Sequence, residues 1–221
     1  MALLSDQDQQ TVRRHLAGLA HQVTLLFFTQ TIGAPETARI TRQILDEVAS
    51  LSEQISVEEV NFVLDKEKAA AFGIEAVPAV VLLRDGQDTR IRFLGAPAGY
   101  EFMSLVEAVI LAGGDDSGLT PESKQLIAGQ ATCPIDIKVF VTPTCPHCPR
   151  AVTLAHKMAA ENPHITATCV EATEFIDLSR TFRVTGVPKT IINGTIEILG
   201  AVPEDTFVST ALGSGDAATD S

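Results

Sequence analysis

The stretch "VFVTPTCPHCPRAVTLAHKMAAEN", residues 139–162, decides how the second half of the chain folds. It starts as an apolar run, breaks at Thr-Pro-Thr, passes through Cys-Pro-His-Cys and continues as a helical pattern. This order predicts a strand, a turn and a helix, with Cys145 and Cys148 where the helix starts. Two cysteines at this spacing fit a redox-active pair, half of a metal site, or two buried thiols.

The segments around this stretch occur twice in the chain. Three segments of the first half match three of the second half in the same order: 23–31 with 136–144, 72–87 with 182–197, and 93–102 with 198–207. The clearest pair is "FGIEAVPAVVLLRDGQ" and "FRVTGVPKTIINGTIE", which share Phe, Val-Pro, an apolar strand and a turn. A period of about 110 residues indicates a duplicated domain rather than a solenoid.

Each copy shows the order strand, helix, strand, helix, strand, strand, helix. In the second copy we expect these elements near 136–142, 146–161, 165–170, 174–182, 188–192, 195–199 and 203–212. A βαβ crossover followed by a hairpin and a closing helix gives a mixed four-stranded sheet flanked by helices, which is the thioredoxin fold. The sequence therefore predicts an α/β protein of two tandem thioredoxin-fold units.

The unit boundaries follow from composition. We expect the first unit at residues 1–112 and the second at 124–212, joined by the Gly- and Asp-rich connection 113–123. The small, polar residues 213–221 are expected to be a disordered tail. The chain begins with an amphipathic pattern that predicts a helix capped by Ser5.

The overall charge restricts the partners. A net charge of -12 argues against nucleic acid and anionic membrane surfaces, because both require a basic footprint. No apolar run reaches the roughly 18 residues of a membrane span, and the first residues lack the pattern of a signal peptide. We therefore expect a cytoplasmic protein, in which cysteines serve catalysis or metal binding more often than structural disulfides.

The Cys-Pro-His-Cys segment has the properties of a dithiol site. Unpaired backbone N–H groups and the positive dipole end at a helix start would lower the pKa of Cys145 below the usual value of about 8.5. Pro146 suits a first helical turn because it has no N–H, and His147 can add a positive charge beside the thiolate. We predict that Cys145 attacks the substrate and that Cys148, one turn later, resolves the mixed disulfide.

The loop with Val187 and Pro188 strengthens this interpretation. In a thioredoxin fold this loop lies against the cysteine pair, and its X–Pro bond is usually cis. We expect the Val187 backbone to pair with a substrate chain in the manner of a strand.

The other cysteines and histidines carry weaker signals. A structural zinc site would need four ligands, with Cys133 and Cys169 joining the pair, but no second Cys-X-X-Cys completes the usual spacing. Cys169 lies in an apolar strand and is expected in the core, while Cys133 is expected to be a bystander. We interpret His156 and His164 as surface residues. A metal-holding or partner-docking module remains the alternative to the redox site.

The first unit has no thiol chemistry of its own. No cysteine precedes Cys133, although the unit keeps the Val77-Pro78 landmark. Its use must be structural or as a docking surface. Glu101, in "GAPAGYEF", stands at the start of a predicted helix, where it either caps that helix or lies against the second unit and tunes Cys145.

Together the quoted segments resemble the protein disulfide oxidoreductases of thermophiles, which are glutaredoxin-like proteins of two thioredoxin units. The layout is also similar to the N-terminal domain of the flavoprotein subunit of bacterial alkyl hydroperoxide reductase. There the first unit also lacks its cysteines, and a Gly-X-Glu-Phe matches residues 99–102. The resemblance implies that Cys145 is the nucleophile, Cys148 the resolving cysteine, Pro188 the cis-proline and Glu101 an acid near the pair.

The resemblance also implies an activity and partners. Electrons would come from a thioredoxin-reductase-like flavoprotein and pass to protein disulfides, a peroxiredoxin among them, with the Cys145–Cys148 disulfide as the only redox group. Two-site members of the family have Cys-X-X-Cys in each unit, so isomerisation is not expected here. Pro-His between the cysteines resembles a strongly oxidising periplasmic enzyme, which keeps a disulfide oxidase as an alternative. A reducing compartment favours the reductase.

Overall fold

The computed structural model describes residues 4–213, so that residues 214–221 of the expected tail lie outside the described part. The elements in chain order are α1 Asp6–Leu16, β1 Val23–Thr29, α2 Glu36–Ala49, β2 Ile55–Asn61, α3 Lys66–Ala71, β3 Ala79–Arg84, β4 Gln87–Leu94, α4 Glu101–Gly113, α5 Pro121–Gln130, β5 Ile135–Val141, α6 Cys148–Glu161, β6 Ile165–Glu171, α7 Ile176–Thr181, β7 Lys189–Ile192, β8 Ile196–Leu199 and α8 Glu204–Ala211.

The strands form two copies of one mixed pattern. Their order in the sheet is β2-β1-β3-β4-β6-β5-β7-β8. In the first half β1 pairs parallel with β2 and antiparallel with β3, which pairs antiparallel with β4. The second half repeats this with β5 to β8. Two tandem thioredoxin-fold units, each with a four-stranded sheet, are therefore confirmed.

The two sheets are joined edge to edge. Strand β4 of the first unit pairs parallel with β6 of the second, from Ile91 with Ala167 to Leu94 with Val170. The sequence did not predict this pairing, because an edge strand presents the same free backbone groups to any partner. As a result the two units share one eight-stranded sheet.

Helices cover both faces of this sheet. Helices α1, α2, α4, α5, α6 and α8 contribute to the largest core cluster, whereas α3 and α7 pack on smaller clusters of the other face. Phe27 and Phe28, neighbours on β1, are both buried and belong to different clusters. Because both sides are covered, β1 and β5 read as continuous apolar runs rather than alternating ones.

The helix ends agree with the sequence at one place and correct it at two. The Ser5 side chain accepts the Asp8 N–H, so the predicted cap of α1 is confirmed. Residues 121–123, expected in the connection, belong to α5. Helix α6 begins at Cys148 rather than at residue 146. Cys145 precedes a proline, and a residue in that position is biased away from helical backbone angles.

The interpretation of His156 as a surface residue is wrong. His156 is fully buried on α6, and its ring packs edge-on against Phe93 of β4 at 5.1 Å between centroids. It shares a helix face with the buried Val152 and Ala159, at helical spacings of four and three. Burial lowers the pKa of His156 to about 3, so the ring is neutral. His164 is exposed, as predicted.

His21 links the first unit to the inter-unit connection. Its Nδ1 lies 2.7 Å from Asp85 in the β3–β4 turn, and its Nε2 lies 2.8 Å from Asp115. The hydrogen bonds to Asp115 and then to Asp85 raise the pKa of His21. A raised folded-state pKa gives stability that is present below the unfolded value and lost as pH rises through the folded value.

We therefore expect His21→Gln to lower the free energy of unfolding more at about pH 5 than at about pH 9. Urea unfolding at the two pH values measures the difference, with His164→Gln as a control for the loss of an exposed histidine. An equal effect of His21→Gln at both pH values would show that the imidazolium contributes nothing.

Candidate redox site

The cysteine pair lies between β5 and α6. Cys145 is in the loop 142–147, where its N–H donates to the Thr142 carbonyl at 3.1 Å, and Cys148 is the first residue of α6. A disulfide joins the two residues, with 5.5 Å between their Cα atoms. The spacing predicted that the two sulfurs could meet, and the structure places them in one covalent bond.

The two sulfurs differ in access. Cys145 is 8% exposed and Cys148 is completely buried. A thiolate or disulfide of another molecule can therefore approach the sulfur of Cys145 but not that of Cys148. This asymmetry favours Cys145 as the atom that exchanges with a partner, as the sequence predicts.

The amino end of α6 favours a negative charge on this pair. Within α6, which the structure describes in full, the first turn carries no acidic side chain that would oppose the helix dipole. Pro149, not Pro146, occupies the first turn. Pro146 and His147 are exposed in the turn between the cysteines, and His147 is the N-cap residue without a side-chain cap bond.

The loop of Val187 and Pro188 lies against the pair. The Val187 carbonyl oxygen is 3.8 Å from the Cys145 sulfur, and the Val187–Pro188 peptide is cis, as predicted. Pro188 is buried and Val187 is half-buried. The loop therefore places a backbone carbonyl beside the reactive sulfur.

The first unit reproduces this frame without the thiols. Strands β1 and β5 have seven residues each, and each is followed by a six-residue loop and a 14-residue helix. By position, Gly33 stands where the second unit has Cys145, and Glu36 stands where it has Cys148. Val77–Pro78 is also cis.

Glu101 is a buried acid with an unusual environment. It is 1% exposed at the start of α4, where its Oε2 accepts the Ser104 hydroxyl at 2.6 Å and lies 3.8 Å from the Cys169 sulfur. Its Oε1 has no hydrogen-bond partner within residues 4–213. Burial raises the pKa of Glu101 to about 7, against the smaller effects of Ser104 and Cys169. No backbone N–H of α4 is bonded to its side chain, so Glu101 does not cap the helix.

The start of α4 is fixed against the loop that carries Cys145. The Tyr100 N–H donates to the Pro143 carbonyl at 3.0 Å, and α4 packs against α6. A Cβ on Gly99, whose φ is +61°, would lie 2.2 Å from the Pro143 oxygen. Only glycine therefore permits this contact between the units.

Gly99→Ala should destabilise the protein by more than the backbone strain alone, because the clash is with a backbone oxygen. Gly73→Ala is the matched control, since Gly73 has φ +65° and open space around its Cβ. We expect roughly 1–2 kcal/mol for the control and about 1–3 kcal/mol more for Gly99→Ala, measured by urea unfolding. Equal losses would mean that the contact with Pro143 relaxes without cost.

The remaining thiols do not join the pair. Cys169 is buried and pairs in register with Val139 of β5, and burial together with Glu101 raises its pKa well above the usual value. Cys133 is a free, exposed cysteine. In the described part of the chain no group of three or more His, Cys, Asp or Glu side chains is placed to hold a metal ion. The sequence pointed to Glu101 but not to its contact with Cys169.

The largest groove among residues 4–213 lies away from the cysteine pair. It has a volume of about 1180 Å³, lies between α3 and α7 and is lined by none of the site residues. Over the same residues, no helix combines the length and apolar character needed to cross a bilayer.

Comparison with known proteins shows the same architecture. A family model described as a thioredoxin domain matches residues 135–212. The N-terminal domain of alkylhydroperoxide reductase AhpF from Enterococcus faecalis (V583) is 31% identical with a TM-score of 0.88, over 94% of this chain and 99% of that chain. A protein disulfide oxidoreductase from Aeropyrum pernix K1 is 30% identical with a TM-score of 0.85, over 94% and 92%.

Curated sequences give the same relatives at lower coverage. The alkyl hydroperoxide reductase protein AhpF of Staphylococcus epidermidis (strain ATCC 12228 / FDA PCI 1200) is 29% identical over 170 residues. The match includes 76% of this chain and 30% of that protein. The chain thus spans less than a third of the curated relative it matches.

Proposed function

This chain belongs to the family of two-unit thioredoxin-fold oxidoreductases that includes the Aeropyrum pernix protein disulfide oxidoreductase and the N-terminal domain of AhpF, and we propose that it reduces protein disulfides through Cys145 and Cys148. One observation carries the proposal. The Cys145–Cys148 disulfide has one accessible sulfur, and that sulfur lies beside the Val187 carbonyl.

The reaction is two successive thiol–disulfide exchanges. The Cys145 thiolate attacks one sulfur of the substrate disulfide, a mixed disulfide forms, and the other substrate sulfur leaves as a thiolate that takes a proton. The Cys148 thiolate then attacks the Cys145 sulfur and releases the second substrate sulfur, which is also protonated. Two electrons pass from the chain to the substrate, and the chain returns to the Cys145–Cys148 disulfide.

Glu101 is the group to which we assign a proton in the second exchange. Cys148 is buried, so its thiol must lose a proton to an acceptor inside the protein before it can attack. Glu101 is a buried carboxyl with one unbonded oxygen, held on the helix that packs against α6. A pKa near 7 suits proton exchange at neutral pH.

The partners follow from the relatives. We propose a thioredoxin-reductase-like flavoprotein as electron donor and disulfide-bearing proteins, a peroxiredoxin among them, as acceptors. The match to AhpF, a protein of alkyl hydroperoxide reductase, supports a peroxide-linked acceptor. The net charge of -12 supports protein partners rather than nucleic acid or a membrane surface. We place this chemistry in a reducing compartment such as the cytoplasm.

The proposal is tested by mixing the pre-reduced protein with excess insulin as a protein disulfide and alkylating the remaining thiols. We expect mass spectrometry to show Cys145 and Cys148 joined, and one insulin disulfide lost for each chain oxidised. Cys133→Ser should leave this stoichiometry unchanged, since Cys133 is a free thiol outside the pair. A non-catalytic docking module would leave both cysteines reduced, and that outcome would refute the proposal.

A further inference from the structure

We propose that the first unit, which has no thiols, supplies part of the docking surface for the substrate polypeptide through Tyr100 and Met103. This inference rests on the proposed reduction of protein disulfides. It assigns to the first unit the recognition of an extended, apolar segment next to the substrate cysteine.

The position of these residues beside the reactive sulfur is the first argument. The Tyr100 N–H is bonded to the Pro143 carbonyl at 3.0 Å, and the close approach of Gly99 fixes this contact. Pro143 precedes Cys145 by two residues, a reach of at most about 7 Å along the chain. A polypeptide whose sulfur meets Cys145 therefore passes over the start of α4 within a few residues.

The character of the surface is the second argument. Tyr100 is 52% exposed and Met103 is 41% exposed, although both have large side chains suited to burial. The Met103 N–H donates to the Tyr100 carbonyl, and this spacing of three places both residues on one side of the first turn. Tyrosine is enriched at the centres of protein interfaces, and methionine adapts to irregular partner surfaces.

The access to Cys145 defines the occupant. Cys145 is only 8% exposed, so a substrate sulfur must come close to the protein and bring its neighbouring residues with it. On one side these residues meet the Val187 carbonyl, which can accept a backbone N–H as a strand does. On the other side they meet Tyr100 and Met103. Glu101, between these two, is buried, so this surface offers apolar contact rather than charge.

A small disulfide gives the discriminating measurement, because it can reach Cys145 without touching α4. The pre-reduced protein is mixed in a stopped-flow instrument with insulin or with 5,5′-dithiobis(2-nitrobenzoate), and the second-order rate constant is measured for each. We expect Tyr100→Ala and Met103→Ala each to lower the rate constant for insulin by about tenfold and that for the small disulfide by less than about twofold. Tyr100→Phe should keep most of the insulin rate, since the ring makes the contact.

Ile32→Ala is the matched control. Ile32 is 90% exposed in the corresponding loop of the first unit, away from the thiols, and its loss should change neither rate constant. An unchanged insulin rate in the Tyr100→Ala/Met103→Ala double variant would overturn the inference. Equal losses for both disulfides would also overturn it, because they would indicate an altered dithiol. Failure of the unaltered protein with both disulfides would instead refute the proposed function.

Discussion

Cys145→Ser abolishes disulfide reduction, and Cys148→Ser leaves a protein that attacks its substrate once and remains bound to it. The first variant has lost the accessible sulfur, and the buried Cys148 sulfur cannot meet a substrate. The second variant can form the mixed disulfide but has no thiolate to release it. Turnover of insulin in the presence of dithiothreitol and non-reducing electrophoresis measure the two results.

The roles of the two cysteines are separated by the position of the trapped bond. We expect peptide mapping of the Cys148→Ser complex to find the substrate sulfur on Cys145 alone. Cys169→Ala and Cys133→Ser should still turn over, because neither thiol is part of the pair. Full activity of Cys145→Ser, or a substrate trapped on Cys133, would contradict the assignment.

Glu101→Gln slows turnover at about pH 7 by at least tenfold and flattens its dependence on pH. The glutamine cannot accept the proton that Cys148 must lose, and general acid–base groups commonly contribute that much or more. In the unaltered protein the rate should rise with an inflection near the Glu101 pKa of about 7. Rates of insulin reduction from about pH 5 to 9 test this.

Stability gives a second readout of the same group. The folded-state pKa of Glu101 is raised from 4.5 to about 7, so the unaltered protein loses stability as pH rises between these values and carries the full cost above 7. We expect Glu101→Gln to lose up to about 3 kcal/mol less than the unaltered protein between pH 5 and pH 8. The nearby His156 and Cys169 titrate outside this window, since the pKa of His156 is about 3 and that of Cys169 is well above its usual value.

The same pH dependence of stability in both proteins would show that Glu101 does not ionise in this range. In that case another group would have to accept the proton of Cys148. Ser104→Ala provides a milder variant, because it removes the hydroxyl that donates to Glu101 and should move the inflection to higher pH.

Local pattern carried much of the fold and the pair. The repeat, the strand order within each unit and the cis-proline loops follow from residues close together in sequence, such as Val187 and Pro188. The cysteine spacing alone indicated that Cys145 and Cys148 could form a disulfide. Such features need only turn chemistry, helical spacing and the order of strands.

Features that depend on contacts between the units were not available from the sequence. The pairing of β4 with β6 buries His156 at the junction, and no local pattern marks that residue as different from a surface histidine. The contact of Glu101 with Cys169 joins α4 of one unit to β6 of the other, 68 residues apart. The close approach of Gly99 to Pro143 likewise requires both units in place.

A redox titration of the pair tests the central claim most directly. The protein is equilibrated in dithiothreitol buffers, its thiols are trapped, and mass spectrometry reports Cys145 and Cys148. The account predicts a reversible two-electron disulfide with a midpoint of about -270 to -200 mV, as in thioredoxins and glutaredoxins. A midpoint near about -120 mV would contradict the reductase and indicate an oxidase. The absence of any reversible disulfide between Cys145 and Cys148 would contradict the redox site itself.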